Sequence, residues 1–338
     1  MKKATFNALQ FVSFLAGVAL FVYLIKETGV ANLAGYLRTM GWGFVLIVAL
    51  SAIRNCARAG SWYYAIEPSQ REIGFWSLMN AMLAGEAIKY LTATGPLLGE
   101  PAKAAMVRRQ IPLLQGFSSV LIENLIYYLS VFVFMIGGFC VLALVVEVPG
   151  SVRLSGYVLV SAIIIAVVVT WAAINWRWFM LARGLERVAR LSARGNMESP
   201  SRRMDIVARQ VREVENNLYS FYQQRRAAFV FIFMLNIGAH LINVVEVYVI
   251  LFLMQQQSTL VTGFIVESAT KVINMLFFFV PTRAGVYESG NALLLQMLGM
   301  SAAAGVALAI IRKLRAFVWI GYGLFVLGVM ALGRGERN

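Results

Sequence analysis

Residues 266–288 read VESATKVINMLFFFVPTRAGVYE, and residues 85–100 read GEAIKYLTATGPLLGE. In each, an apolar run carries a Glu and a Lys at helical spacing, Glu267 with Lys271 and Glu86 with Lys89. Each run is then broken between a Pro and a Gly, Pro281 to Gly285 and Pro96 to Gly99, with Glu288 or Glu100 just beyond. A second apolar half-helix follows, ending at Arg108-Arg109 in one stretch and Leu298-Gly299 in the other. Proline ends the entering helix because it lacks an N–H and clashes with the preceding turn, and glycine relieves the reversal. Backbone broken in this way cannot face lipid, since its unpaired N–H and C=O groups would find no partner there. It must be buried in protein or line a wet cavity. Residues 73–110 and 259–300 are therefore expected to be two re-entrant hairpins.

The surroundings of the hairpins are written for a bilayer. Of 338 residues, 60% are hydrophobic and only 14% charged, where soluble chains run roughly 45–50% apolar and about 25% charged. Mean hydropathy is +0.73. Six runs reach the ~20 residues that cross a hydrocarbon core: 7–25, 43–66, 117–146, 157–176, 227–254 and 303–332. The expected fold is an all-α polytopic membrane protein, one integral domain over 1–338, with six full spans and two opposed hairpins. Because each hairpin precedes a long span, 43–146 and 227–332 read as two units of an inverted repeat. In transporters built this way the substrate site lies near the midplane between the units.

Charge sets the expected orientation. The chain holds 30 basic and 16 acidic residues, a formal +14. Residues 177–226 concentrate 11 Arg against five acids, and such an excess belongs on the cytoplasmic side. Lys2 and Lys3 place the amino end on the same side, and the run after them lacks a small-x-small cleavage pattern, so it reads as a retained first helix. Six spans with two hairpins that return to their own side then put both termini in the cytoplasm. Inside 177–226, Met204, Val207, Val211, Val214, Leu218 and Phe221 repeat at 3-4 spacing, the stripe of an amphipathic helix. It is expected to lie on the bilayer surface or against the bundle, its Arg face toward anionic lipid head groups. A nucleic-acid partner is not expected.

An ionisable side chain at bilayer depth costs several kcal/mol unless it is paired or hydrated. Each one is a candidate for function on cost alone. The spans contribute Arg54 and Arg58 with Trp62 on one face, Glu123, and Arg312 and Arg315 with Trp319. The hairpins contribute Glu86, Lys89, Glu100, Lys103, Glu267, Lys271, Arg283 and Glu288. Asn236, His240, Asn243 and Glu246 form a polar stripe down the fifth span. For each of these the alternative is an interhelical pair that only fixes packing. Arg suits an anionic head group because its fork donates two parallel hydrogen bonds and keeps its charge.

Much catalytic chemistry is missing. One Asp (Asp205) and one His (His240) leave no Ser-His-Asp triad, no His-rich metal site and no Asp-rich Mg²⁺ site. Cys56 and Cys140 sit within apolar runs, so a Cys-based zinc site or disulfide framework is not expected. There is no phosphate-binding Gly-rich loop, no His-Glu-x-x-His and no Gly-x-Ser-x-Gly. No metal, cofactor or catalytic residue is assigned.

The stretch Pro281-Thr282-Arg283-Ala284-Gly285-Val286-Tyr287-Glu288, with Leu298-Gly299 and Ile311-Arg312-Lys313-Leu314-Arg315 after it, resembles the carboxyl-terminal signature of the lysylphosphatidylglycerol synthase transmembrane, or flippase-like, family. Arg54, Arg58 and Trp62, and Gly99-Glu100 ahead of Arg108-Arg109, resemble its first half. The family more usually has Gly where this chain has Thr282-Arg283-Ala284. The resemblance implies lipid translocation across the cytoplasmic membrane, with a phospholipid, hopanoid or polyprenyl-linked lipid as partner and an anionic or aminoacylated head group as cargo. Synthase activity is not carried over, since no soluble segment here exceeds the 50 residues of 177–226. An accessory role in a lipid-synthesis complex and a membrane-embedded lipid-modifying enzyme are the other roles that fit, and self-association is open.

Overall fold

The computed structural model describes residues 40–92, 96–145, 150–179, 182–187, 198–277 and 285–335, with Gly35 and Arg38. The expected span 7–25 and the candidate Arg283 lie outside the described residues. Ten helices carry the architecture: α1 (Gly43–Ala65), α2 (Phe75–Leu91), α3 (Pro96–Val107), α4 (Leu113–Val145), α5 (Gly150–Asn175), α6 (Glu198–Gln224), α7 (Arg226–Leu253), α8 (Leu260–Leu276), α9 (Val286–Met297) and α10 (Ala302–Gly335). No strand occurs among the described residues. Among the described residues five helices are long and apolar enough to cross a membrane: Gly43–Ala65, Leu113–Val145, Arg153–Asn175, Arg226–Leu253 and Ala302–Ala331. They coincide with five of the six expected spans.

The two interrupted stretches are helical hairpins of matched size. Helices α2 and α8 have 17 residues each, and α3 and α9 have 12 each. At 1.5 Å per residue these are about 26 Å and 18 Å long, short of a hydrocarbon core of roughly 30 Å. Local chemistry fixes their ends. Thr259 caps α8 by accepting the Thr262 N–H at 3.2 Å, and Thr262 Oγ1 accepts the Thr259 N–H at 3.3 Å. Gly285 precedes α9 at φ +78°, a conformation that any L side chain would strain. Within the first hairpin Lys103 meets Glu86 and Lys89 meets Glu100, so α3 runs back along α2.

The packing of one four-helix set is exchanged into that of the other. Set one is α1–α4 and set two is α7–α10. α1 lies against α7, α2 packs on α10, and α8 packs on α4. Each hairpin's first helix therefore rests on the long final helix of the opposite set. The α1–α7 pair is antiparallel: Gly43 abuts Leu253, Arg54 bonds Asn243 and Gly60 abuts Leu235. The two hairpins consequently begin at opposite ends of that pair.

Two apolar cores lie at either end of the α1–α7 pair. One gathers Ala59, Trp62 and Ile66 with Leu78, Ile126 and Ile232. The other gathers Ile47 with Val247, Leu251, Ile265, Leu295, Leu308 and Ile311. Between Ile47 and Ala59 on α1, and between Ile232 and Val247 on α7, lie Arg54, Arg58, His240 and Asn243. The ionisable layer is thus sandwiched at mid-helix rather than scattered.

Glycines set how close the helices come. A Cβ on Gly323 of α10 would sit 2.5 Å from the Leu83 carbonyl of α2, and one on Gly305 would sit 2.4 Å from the Asn291 carbonyl of α9. Backbone cannot yield as a side chain can. Gly305→Ala is expected to destabilise the protein by about 1–3 kcal/mol through overpacking, read as a lower thermal midpoint in detergent.

The Arg-rich segment resolves one of the two placements left open. Asn217 of α6 donates to Ser118 of α4 at 3.1 Å, and Phe221 is buried in the first core. The carboxyl-terminal half of α6 is therefore held against the bundle, while Val207 at the other end of the stripe is exposed. Arg212 pairs with Glu186 at 2.6 Å. Burial pushes the Tyr219 phenol up, against the pull of the Phe179 N–H that donates to it.

Candidate functional site

A cavity of about 230 Å³ opens in the ionisable layer, bounded by α1, α2, α4, α7, α8 and α10. Both four-helix sets contribute to it. Of the candidates, Arg54, Arg58, Glu86, His240, Asn243, Lys271 and Arg315 line it. Glu86 and Lys271 occupy the same position in α2 and α8, each the twelfth residue of a 17-residue helix. One set thus offers an anion where the other offers a cation.

Arg54, at the midpoint of the 23-residue α1, donates to Asn55 Oδ1 at 2.9 and 3.3 Å and to Asn243 Oδ1 at 3.3 Å. Among the described residues no carboxylate lies within ion-pair distance of it. A guanidinium taken from water without a carboxylate is costly unless something else compensates it. Arg58 is different: it pairs with Glu123 of α4 at 3.1 Å and stacks over the Tyr127 ring at 4.1 Å.

The other charged candidates form ion groups around the cavity, joined to the lining through Glu86, Lys271 and Arg315. Glu86, Lys89, Glu100 and Lys103 form an alternating quartet, with Lys103 at 2.8 Å from Glu86 and 3.0 Å from Glu100, and Lys89 at 3.3 Å from Glu100 and 3.8 Å from Glu86. A five-membered cluster joins the polar stripe to the second hairpin and α10. Glu267 takes Arg312 at 2.5 Å and Lys271 at 2.8 Å, and accepts the Asn243 amide at 3.1 Å. Glu246 pairs with Arg315 and stands 3.5 Å from Arg312. Glu288 pairs with Lys313.

Several sequence-level candidates therefore stand apart from the cavity. Lys89, Glu100, Lys103, Glu123, Glu246, Glu267 and Arg312 hold partners behind its wall. Glu288 and Lys313 make a separate pair between α9 and α10. Asn236 folds back to its own helix, donating to the Ile232 carbonyl at 3.0 Å, so the polar stripe is not one continuous lining. His240 is buried, bonded to Ser130 Oγ at 3.0 Å, with its ring between Tyr127 and Phe134. Sequence reasoning missed Asn55, Tyr90, Ala239 and Ala316, which also line the cavity. The two alanines have no charge to flag them, although small residues beside Arg54, Arg315 and Trp319 are what leave the space. Among the described residues no three His, Cys, Asp or Glu side chains gather to hold a metal ion.

A family model described as the lysylphosphatidylglycerol synthase TM region matches residues 10–323. The chain belongs to that family. No curated protein and no solved structure matches it. Membership in the lysylphosphatidylglycerol synthase TM-region family, together with the five apolar helices, makes this an integral membrane protein related to lipid handling. It places the chain with the membrane part of a synthase.

Proposed function

We propose that this protein moves the head group of a membrane lipid across the cytoplasmic membrane through the cavity between its two four-helix sets, while the acyl chains stay in the bilayer. Residues 43–146 and 227–332 are the two units of an inverted repeat, and 73–110 and 259–300 dip into the membrane from opposite faces. The Arg-rich segment 177–226 and both termini face the cytoplasm, following the positive-inside bias. The observation that carries the reading is the cavity itself: its lining combines Arg54, Lys271 and Arg315 with apolar Leu83, Ile320 and Trp319. A site with ionic and apolar walls suits an amphipathic ligand better than a soluble one.

The residues divide the work. Arg54, Arg58, Lys271 and Arg315 meet the head group, and Glu86 faces them across the cavity. The closed ion groups hold the helices in register around it. A head group leaving water must exchange its hydration for donors already fixed in place, and the buried pairs behind the wall fix them.

Reconstitution tests the proposal. Vesicles containing the full chain and an acyl-labelled fluorescent phosphatidylglycerol are treated with dithionite, with and without a proton gradient. Protein-free vesicles lose about half their signal, the outer-leaflet share. The proposal predicts a clearly larger loss when the protein is present under at least one condition. A loss that stays at the protein-free level under both would overturn it.

A further inference from the structure

We infer that the cavity takes a lipid with an anionic phosphate head group and rejects the cationic aminoacyl head group that the family's description brings to mind. The inference rests on the translocation reading for its lipid, and on the cavity alone for its charge.

Four cations, Arg54, Arg58, Lys271 and Arg315, line the cavity against one carboxylate, Glu86. Glu86 is already shared between Lys103 at 2.8 Å and Lys89 at 3.8 Å. Counting the partners behind the wall does not remove the excess. Arg58 is balanced by Glu123 and the first-hairpin quartet is neutral. Among the described residues Lys271, Arg312 and Arg315 share only Glu246 and Glu267, and Arg54 has no carboxylate. Two positive charges remain beside the space, His240 aside.

Hydrogen-bonding capacity has the same sign. Three residues that line the cavity carry buried donor nitrogens without a partner: Asn55 Nδ2, Arg58 Nε and Arg315 Nε. No lining residue carries a buried acceptor oxygen without one. Unpaired buried donors call for an acceptor, and an ionised phosphate presents strong acceptor oxygens. A lysyl ester brings two ammonium groups, which can only donate. It would have to enter beside Arg54, Lys271 and Arg315 with Glu86 already taken. Arg54 is the specificity-determining residue, being the lining cation with no carboxylate to satisfy first.

Equilibrium binding to the full chain in uncharged detergent tests this without requiring transport. The probes are dihexanoyl phosphatidate, dihexanoyl phosphatidylcholine, dihexanoyl lysylphosphatidylglycerol and tail-less glycerol 1-phosphate. Phosphatidate is expected to bind at least tenfold more tightly than the lysyl lipid or phosphatidylcholine. Arg54→Gln is expected to weaken phosphatidate at least tenfold, and Arg54→Lys to restore part of the loss. Tighter binding of the lysyl lipid would overturn the inference, as would an Arg54→Gln protein that is folded and binds phosphatidate normally. Glycerol 1-phosphate binding as tightly as phosphatidate would overturn the assignment to a lipid. Phosphatidate preference without lipid movement in vesicles would leave this inference standing and remove translocation; movement with a preference for the lysyl lipid would do the reverse.

Discussion

Glu267→Ala is expected to lower stability by about 3–5 kcal/mol, the cost of leaving a buried ion pair without one partner. Glu267 is fully buried and receives three donors, Arg312 at 2.5 Å, Lys271 at 2.8 Å and Asn243 at 3.1 Å. Its loss leaves Arg312 with Glu246 alone, at 3.5 Å, and Lys271 with no carboxylate. The same change would loosen α8 from α7 and α10 together, because the three donors come from α10, α8 itself and α7. Thermal denaturation of detergent-solubilised protein reads the effect. Two comparisons sharpen it. Glu288→Ala, which frees only the partly exposed Lys313, should cost far less. Adding Arg312→Met to Glu267→Ala should recover part of the loss, since removing both charges is milder than stranding one. Equal midpoints for Glu267→Ala and the native protein would mean that the five-membered cluster does not hold the second hairpin.

Ala316→Trp carries the largest functional effect. Ala316 lies on α10 where it lines the cavity, one residue after Arg315. An indole there would occupy much of the 230 Å³ space without removing any charge. Lipid movement in vesicles is expected to fall at least tenfold, with a smaller change in thermal midpoint than Glu267→Ala produces. Val318→Trp is the matched control, because Val318 is exposed on α10 and does not line this cavity. Similar movement in both tryptophan variants and the native protein would remove the cavity from the route.

The helices were the most legible part of the molecule. Lipid demands long apolar runs, and the five described spans sit within a few residues of the hydropathy segments. The largest deviations are at helix starts: α4 begins at Leu113, directly after Pro112, and α5 at Gly150, where Ser151 and Arg153 dilute the hydropathy. The hairpins were legible for a different reason. Proline and glycine act on their own backbone, so a break was legible in each stretch. The first falls between Leu91 and Pro96 and not from Pro96 to Gly99, because Pro96 opens α3 and Gly99 lies inside it. Gly285 leads into α9 as expected, and Pro281 lies outside the described residues.

The candidate site was legible as a set of residues and illegible as a geometry. Cost alone marks Glu100, Glu123 or Arg312 as meaningful at bilayer depth, but whether such a group lines a cavity or pairs behind it depends on which helix lies beside it. That neighbour is chosen over long sequence distances. Arg58 on α1 finds Glu123 on α4, and Arg315 on α10 finds Glu246 on α7. Arg54 and Arg58 look alike one turn apart, yet only Arg58 faces a carboxylate. Ala239 and Ala316 shape the space by being small, a property that no local pattern records.

A thiol placed in the cavity tests the central claim most directly. With Cys56→Ser and Cys140→Ser as background, Ala239→Cys puts a sulfhydryl on the α7 wall of the cavity, deep in the bundle and one turn from Asn243. A wet, lipid-binding cavity predicts that a small anionic methanethiosulfonate modifies this thiol in reconstituted protein and that dihexanoyl phosphatidate slows the reaction. A thiol that stays unmodified in the folded protein yet reacts fully in SDS would contradict the account, because a dry, closed layer cannot pass a head group.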